Sequence, residues 1–218
     1  WLPAYHDMGL IGGILQCWYS GRRNIILTPV AFFQQPLRWL KAISDYRVTT
    51  TAAPDFAYDL CVRKVSSDEA GSLDLSCLQL ALSGAEPVRA ATIDRFVETF
   101  RPVGMRREAF CPTYGLAEAT LMVANSALTA EPTIGTFDGT ELARNRAAYV
   151  DPDAPHARTL VGIGLVSDGQ YVAVVDPQTH AILADGQVGE IWISGPNVAA
   201  GYWGRPEDSN ATFRAHTD

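Results

Sequence analysis

No stretch of the 218 residues is apolar for long enough to cross a bilayer. The most hydrophobic run, residues 10–19, is interrupted by Gln16 and falls well short of the ~20 residues a spanning helix needs. Basic residues are scarce: 17 Lys and Arg stand against 24 Asp and Glu, a formal net charge of −7, and no basic cluster exceeds a pair such as Arg106-Arg107. That excludes the electropositive footprint of a nucleic-acid binder. The four cysteines, Cys17, Cys61, Cys77 and Cys111, lie 44, 16 and 34 residues apart with no CxxC, so they form neither a zinc signature nor a dense disulfide framework. A reducing, cytoplasmic setting is the default reading. No nucleophile elbow, HExxH or P-loop lysine motif occurs, which removes the usual support for hydrolase and kinase chemistry. Gly162 and Gly164 form a GxG that precedes no helical pattern and does not amount to a dinucleotide fingerprint.

What is present is the material of a sizeable core, with 47% hydrophobic, 10% aromatic and only 19% charged residues. The first 125 residues alternate short apolar or β-branched runs with helical periods, the pattern of crossover connections and a mostly parallel sheet, hence an α/β fold. Helices are expected over 8–19, 34–46, 55–65 and 87–100, and strands over 24–27, 48–52 and 78–82. Leu37, Leu40 and Ile43 should face inward on the second helix, Phe56, Leu60 and Lys64 share one register on the third, and Ile93, Phe96 and Val97 face inward on the fourth. Residues 126–158 then show no sustained period; so long an aperiodic stretch in a compact domain is often functional. From 159 onward, short alternating strands at 159–161, 171–175 and 190–194 predict an antiparallel β element, part of a small barrel or sandwich. Three segments follow: 1–125, 126–158 and 159–218. The chain reads as a piece of a longer protein, because Trp1 falls inside an element and the sequence stops abruptly at Asp218.

In an open α/β sheet, ligands sit outside the carboxyl ends of strands, so the strand-to-helix junctions come first. Three put a glycine beside a carboxylate or imidazole: Tyr5-His6-Asp7-Met8-Gly9, Ser83-Gly84-Ala85-Glu86-Pro87 and Thr113-Tyr114-Gly115-Leu116-Ala117-Glu118. Each also has a purely structural reading. Asp7 suits a helix cap, Glu86 suits a first helical turn, Gly84 suits a turn, and His6 suits a packed or capping residue.

Together with Trp1-Leu2-Pro3-Ala4 before the first junction, Asp55-Phe56-Ala57-Tyr58-Asp59-Leu60-Cys61, and Gly189-Glu190-Ile191-Trp192-Ile193-Ser194-Gly195-Pro196 with Gly201-Tyr202-Trp203, these motifs resemble the adenylate-forming superfamily. The fatty-acyl-AMP ligase branch is the most similar. The resemblance implies that Ser83, Gly84, Ala85 and Glu86 and Tyr114, Gly115, Leu116 and Ala117 bind the nucleotide, with Tyr114 stacked on the adenine and Gly84 to Glu86 as the opposite wall. It implies that Glu118 helps hold the Mg²⁺ of ATP, and that His6 sits near the reacting carboxylate and the α-phosphate. The superfamily often has Thr where this chain has Ala117, and the acyl-AMP ligase branch shares the departure. The resemblance also implies the reaction: a fatty acid and ATP give acyl-adenylate and pyrophosphate, and the acyl group passes to an acyl carrier protein or polyketide synthase. Residues 126–158 fall where that branch has an insertion thought to restrain a mobile C-terminal domain and disfavour CoA, an ordinary variable surface loop being the alternative; Ile134, Phe137, Leu142 and Tyr149 could pack it onto the sheet. Leu10, Ile11, Ile14 and Leu15 suit either an acyl tunnel or helix packing. The phosphate loop, ribose-binding Asp and catalytic Lys would lie outside this chain, so alone it is expected to bind adenine nucleotides weakly and catalyse nothing. An acyl-CoA ligase or peptide-synthetase adenylation domain, and a non-catalytic acyl- or nucleotide-binding module, are the competing readings.

Overall fold

Proline, glycine and capping side chains decide where the apolar pattern breaks. In the computed structural model, which describes residues 1–128 and 130–217, Asp7 accepts the Met8 N–H at 2.7 Å and opens a π-helix over Met8–Leu15, which tightens into α1 (Gln16–Tyr19). The expected strand at 24–27 does not form; Asn24 instead donates its side-chain amide to the Gly13 carbonyl at 2.8 Å, folding this stretch back on the π-helix. The helix expected over 34–46 is two helices, α2 (Pro29–Gln34) and α3 (Leu37–Tyr46). Pro36 is the cause: it forces Gln35 out of helical geometry (φ −153°, ψ 93°) and offers no N–H to continue the ladder.

Then follow β1 (Thr50–Ala53), α4 (Asp55–Lys64), α5 (Ser67–Gly71), β2 (Leu80–Ser83), α6 (Ala90–Phe100), β3 (Phe110–Leu116) and β4 (Leu121–Asn125). The fourth expected helix thus begins three residues after Pro87. β1, β2 and β3 are parallel, with Ala53 opposite Ser83 and Ser83 opposite Pro112, so β1 and β2 end level while β3 runs on. Its second half pairs antiparallel with β4. The stretch 126–158 is not structureless: it holds β5 (Ile134–Asp138) and α7 (Gly139–Leu142), and β5 pairs antiparallel with β6 (Ala157–Val161). β7 (Leu165–Val166) returns to the main sheet, whose order is β1-β2-β3-β4-β7. β8 (Tyr171–Val175) and β9 (Glu190–Ser194) pair antiparallel at the expected boundaries, and α8 (Pro206–Phe213) follows. The antiparallel part is therefore two separate two-stranded sheets, with no closed barrel among the described residues.

The core lies where α3, α4 and α6 meet the parallel strands. Trp39, Leu40 and Ile43 of α3, Ile93, Phe96, Val97 and Phe100 of α6 and Phe110 of β3 are all buried. α4 buries Asp55, Ala57, Tyr58 and Cys61, while Phe56 of the Phe56, Leu60 and Lys64 register reaches the surface. Tyr58 sits at the centre, its ring 5.0 Å from Phe96 and 4.8 Å from Phe110 and its hydroxyl donating to the Leu82 carbonyl at 2.7 Å. That hydrogen bond lets a phenol sit in an apolar centre without an unmet donor, and burial holds its pKa well above the usual value.

Candidate functional site

The carboxyl edge of β2 is built by close approach. A Cβ on Gly84 would lie 2.6 Å from the Thr113 carbonyl oxygen and 2.9 Å from its methyl group, so only glycine lets the exit from β2 lie flat against β3. Ala85 follows at φ +64°, left-handed backbone that costs an L-residue roughly 1–2 kcal/mol and persists only when its surroundings hold it. Ser83, fully buried at the end of β2, has no hydrogen-bond partner for its hydroxyl among the described residues. The Glu86 carboxylate is occupied: Oε1 accepts the Phe56 N–H at 2.7 Å, satisfying a free donor at the start of α4.

The second wall differs from expectation. Thr113 to Glu118 is not a strand-to-helix junction. β3 continues through Leu116, makes a single 3₁₀ turn at Ala117–Ala119 and returns as β4. A bulge between Tyr114 and Gly115 shifts the register, and a Cβ on Gly115 would stand 1.7 Å from the Leu121 carbonyl oxygen, so glycine is obligatory there. Tyr114 is half-buried immediately after the contact between Gly84 and Thr113, which puts the 83–86 and 114–117 stretches side by side at one sheet edge. Leu116 ends the strand half-buried and Ala117 is exposed at the turn.

Glu118 is held from far along the chain. Its Oε1 accepts the Tyr202 hydroxyl at 2.5 Å and its carbonyl accepts the Ala199 N–H at 2.8 Å. Asn197 donates its side-chain amide to the Ala119 carbonyl at 2.6 Å and accepts the Thr120 hydroxyl on its own carbonyl at 2.5 Å. The bond to the Glu118 carboxylate favours the protonated phenol and raises the Tyr202 pKa above its usual value. His6 stands at the mouth of the π-helix, its Nδ1 2.6 Å from Asp7 Oδ1 and 3.2 Å from the Met8 nitrogen. The Met8 N–H is thus within reach of both the His6 Nδ1 and the Asp7 carboxylate. The π-helix packs on β1 and β4, a Cβ on Gly12 meeting Leu121 at 3.1 Å.

The structure thus sets the Ser83–Glu86 stretch beside the Thr113–Glu118 stretch and packs the π-helix that follows His6 on β1 and β4. Sequence reasoning named Asp55 and Tyr202 only as members of the motifs 55–61 and 201–203 and gave them no role, and it did not single out Asn197; the contacts of Asn197 and Tyr202 with the turn at 118–120 span 77 to 84 positions. No group of three or more His, Cys, Asp or Glu able to hold a metal occurs among the described residues. A single carboxylate with one free oxygen suits a Mg²⁺ carried in by phosphates, since that ion commonly takes one or two carboxylates plus substrate oxygens.

Residues 1–203 match the AMP-binding enzyme family, and the chain belongs to it. Among curated relatives, it is 42% identical over 218 residues to the medium-chain-fatty-acid–[acyl-carrier-protein] ligase JamA of Moorena producens, covering 99% of this chain and 37% of that one. It is 43% identical over 219 residues to the long-chain-fatty-acid–AMP ligase FadD32 of Mycolicibacterium smegmatis, covering 98% of this chain and 35% of that one. The fold superposes on the crystal structure of a Legionella pneumophila fatty acyl-adenylate ligase in complex with acyl adenylate and pyrophosphate, with a TM-score of 0.92 at 41% identity over 96% of this chain and 37% of that one. The chain spans a little more than a third of the relatives it matches.

Proposed function

We propose that this chain is the central part of the adenylating region of a fatty-acyl-AMP ligase, which joins a fatty acid to ATP, releases pyrophosphate and passes the acyl group to an acyl carrier protein or polyketide synthase. The observation that carries the reading is the contact of Gly84 with Thr113, which sets the Ser83–Glu86 main chain against Tyr114 at one sheet edge. The exposed rings of Trp18 and Trp203 suit surfaces that pack on further protein, in keeping with a chain shorter than its relatives.

In this reading the segment 1–125 forms the adenine wall, 126–158 is the insertion that restrains a mobile domain, and 159–218 supplies the loop behind Glu118. Gly84, Ala85 and Glu86 present backbone groups to the adenine edge, and Tyr114 offers its ring to the adenine face, with Gly115, Leu116 and Ala117 completing the nucleotide wall. Glu118, aligned by Tyr202, would hold Mg²⁺, which when bound neutralises phosphate charge. His6, held beside Asp7, would sit near the reacting carboxylate and α-phosphate. The contribution of all these groups is positioning and charge neutralisation for in-line attack.

The complete ligase should release pyrophosphate only when both ATP and a fatty acid are present. Tyr114→Ala should raise the KM for ATP about 5- to 150-fold, the span of ~1–3 kcal/mol for one base stacked on an aromatic ring, and leave the KM for fatty acid within about twofold. Pyrophosphate release independent of fatty acid, or equal effects on both substrates, would contradict the reading; acyl-CoA formed with added CoA would move the chain to the CoA ligases.

A further inference from the structure

Two carboxylates at the site edge are exchanged between helices. Asp55 belongs to the first turn of α4, yet both its oxygens serve the entrance of α6: Oδ1 accepts the Arg89 N–H at 3.0 Å and Oδ2 the Thr92 hydroxyl at 2.9 Å, with the Arg89 guanidinium 3.9 Å away. Glu86, just before α6, serves α4 in return through the Phe56 N–H at 2.7 Å. The Asp55 side chain is wholly buried. Burying a carboxylate is costly, and a Ser or Asn at the start of each helix would satisfy its N–H groups without that cost. The exchange adds something local caps would not: it ties the loop between β2 and α6 to a neighbouring helix at two points. Gly84 is pressed on Thr113 at the start of that loop, Glu86 is held in its middle and Arg89 at its end. Between the first two holds stands Ala85 at φ +64°, a conformation that needs external restraint.

We propose that Asp55 is a positioning residue for the nucleotide: through Arg89 and Thr92 it locks the Gly84–Arg89 loop in the geometry that presents its main chain to the adenine. This rests on the function proposed above and assigns part of that site to a residue with no direct reach to the ligand.

The test is made in the complete ligase with Asp55→Ala, Asp55→Asn and Thr92→Val. Asn is the conservative variant, since its carbonyl oxygen can still accept from Arg89 and its amide can donate to Thr92. Should Asp55→Ala fail to fold, Thr92→Val carries the test, because it removes one bond and retains the volume. Hydrogen exchange of the amides at 84–89, measured without nucleotide, should quicken about tenfold in Asp55→Ala and severalfold in Thr92→Val, with those at 110–116 unchanged. The KM for ATP should rise about tenfold in Asp55→Ala and less in the other two, while kcat and the KM for fatty acid stay within about twofold. Unchanged exchange at 84–89 overturns the proposal, as does a lowered melting temperature with an unaltered KM for ATP, or an equal rise in both KM values. A wild-type enzyme that releases no pyrophosphate from ATP and fatty acid overturns the functional reading instead, and exchange at 84–89 still decides whether Asp55 holds the loop.

Discussion

Single positions at this edge are decided by sub-ångström geometry. Gly115 is the extreme case: a methyl group 1.7 Å from the Leu121 carbonyl oxygen cannot be absorbed by a rotamer change, because the obstacle is main chain. Gly115→Ala should cost on the order of 3 kcal/mol or more, seen as a fall of roughly 6–12 °C in melting temperature or as loss of soluble protein. Unchanged melting would mean that the hairpin opens at no cost. Tyr202 is decided by charge. Its pKa is raised in the folded protein by its bond to Glu118, so the stability it contributes is fully present below its unfolded value near 10 and is lost as pH rises through the higher folded value. The melting difference between wild type and Tyr202→Phe should therefore be constant from about pH 6 to 9 and shrink above about pH 10. A difference that grows with alkalinity would reverse the assignment.

The elements easiest to read from sequence were those whose signal is local. β8 and β9 alternate cleanly between turn residues and appear with the expected bounds, and α6 buries Ile93, Phe96 and Val97 as its period required. Local pattern misled wherever a partner from afar decided the outcome. The Ile25-Ile26-Leu27 run has strand chemistry and no strand beside it. α4 hides a carboxylate and exposes Phe56, contrary to hydrophobic ranking, because α6 supplies Asp55 with an N–H and a hydroxyl. The apolar members of 126–158 do not simply blanket the sheet. Phe137 pairs with Tyr149 at 4.4 Å between centroids, while Tyr149 stays 78% exposed. Glu86 yields a prediction at this scale. Glu86→Ala leaves the Phe56 N–H without its carboxylate and should cost about 1 kcal/mol, roughly 2–4 °C in melting, whereas Glu86→Gln keeps an oxygen acceptor and should lose less than half of that. Identical melting of all three proteins would show that water serves that donor equally well.

Across the whole molecule, the three segments interlock rather than sit in succession. β6 straddles the expected boundary at 158, β7 crosses back to pair with β4, and the turn at 117–120 is bonded to residues 197, 199 and 202. Production of the chain as two polypeptides, divided between Pro152 and Asp153 in an exposed stretch, should give halves that copurify through a tag on one of them. Recovery of the tagged half alone would show that these contacts are too weak to hold the pieces. The Glu118 carboxylate then has a further property. Its side chain is bonded to a phenol delivered 84 positions later, so during synthesis the hairpin of β3 and β4 is complete in sequence well before the residue that fixes Glu118 has been made.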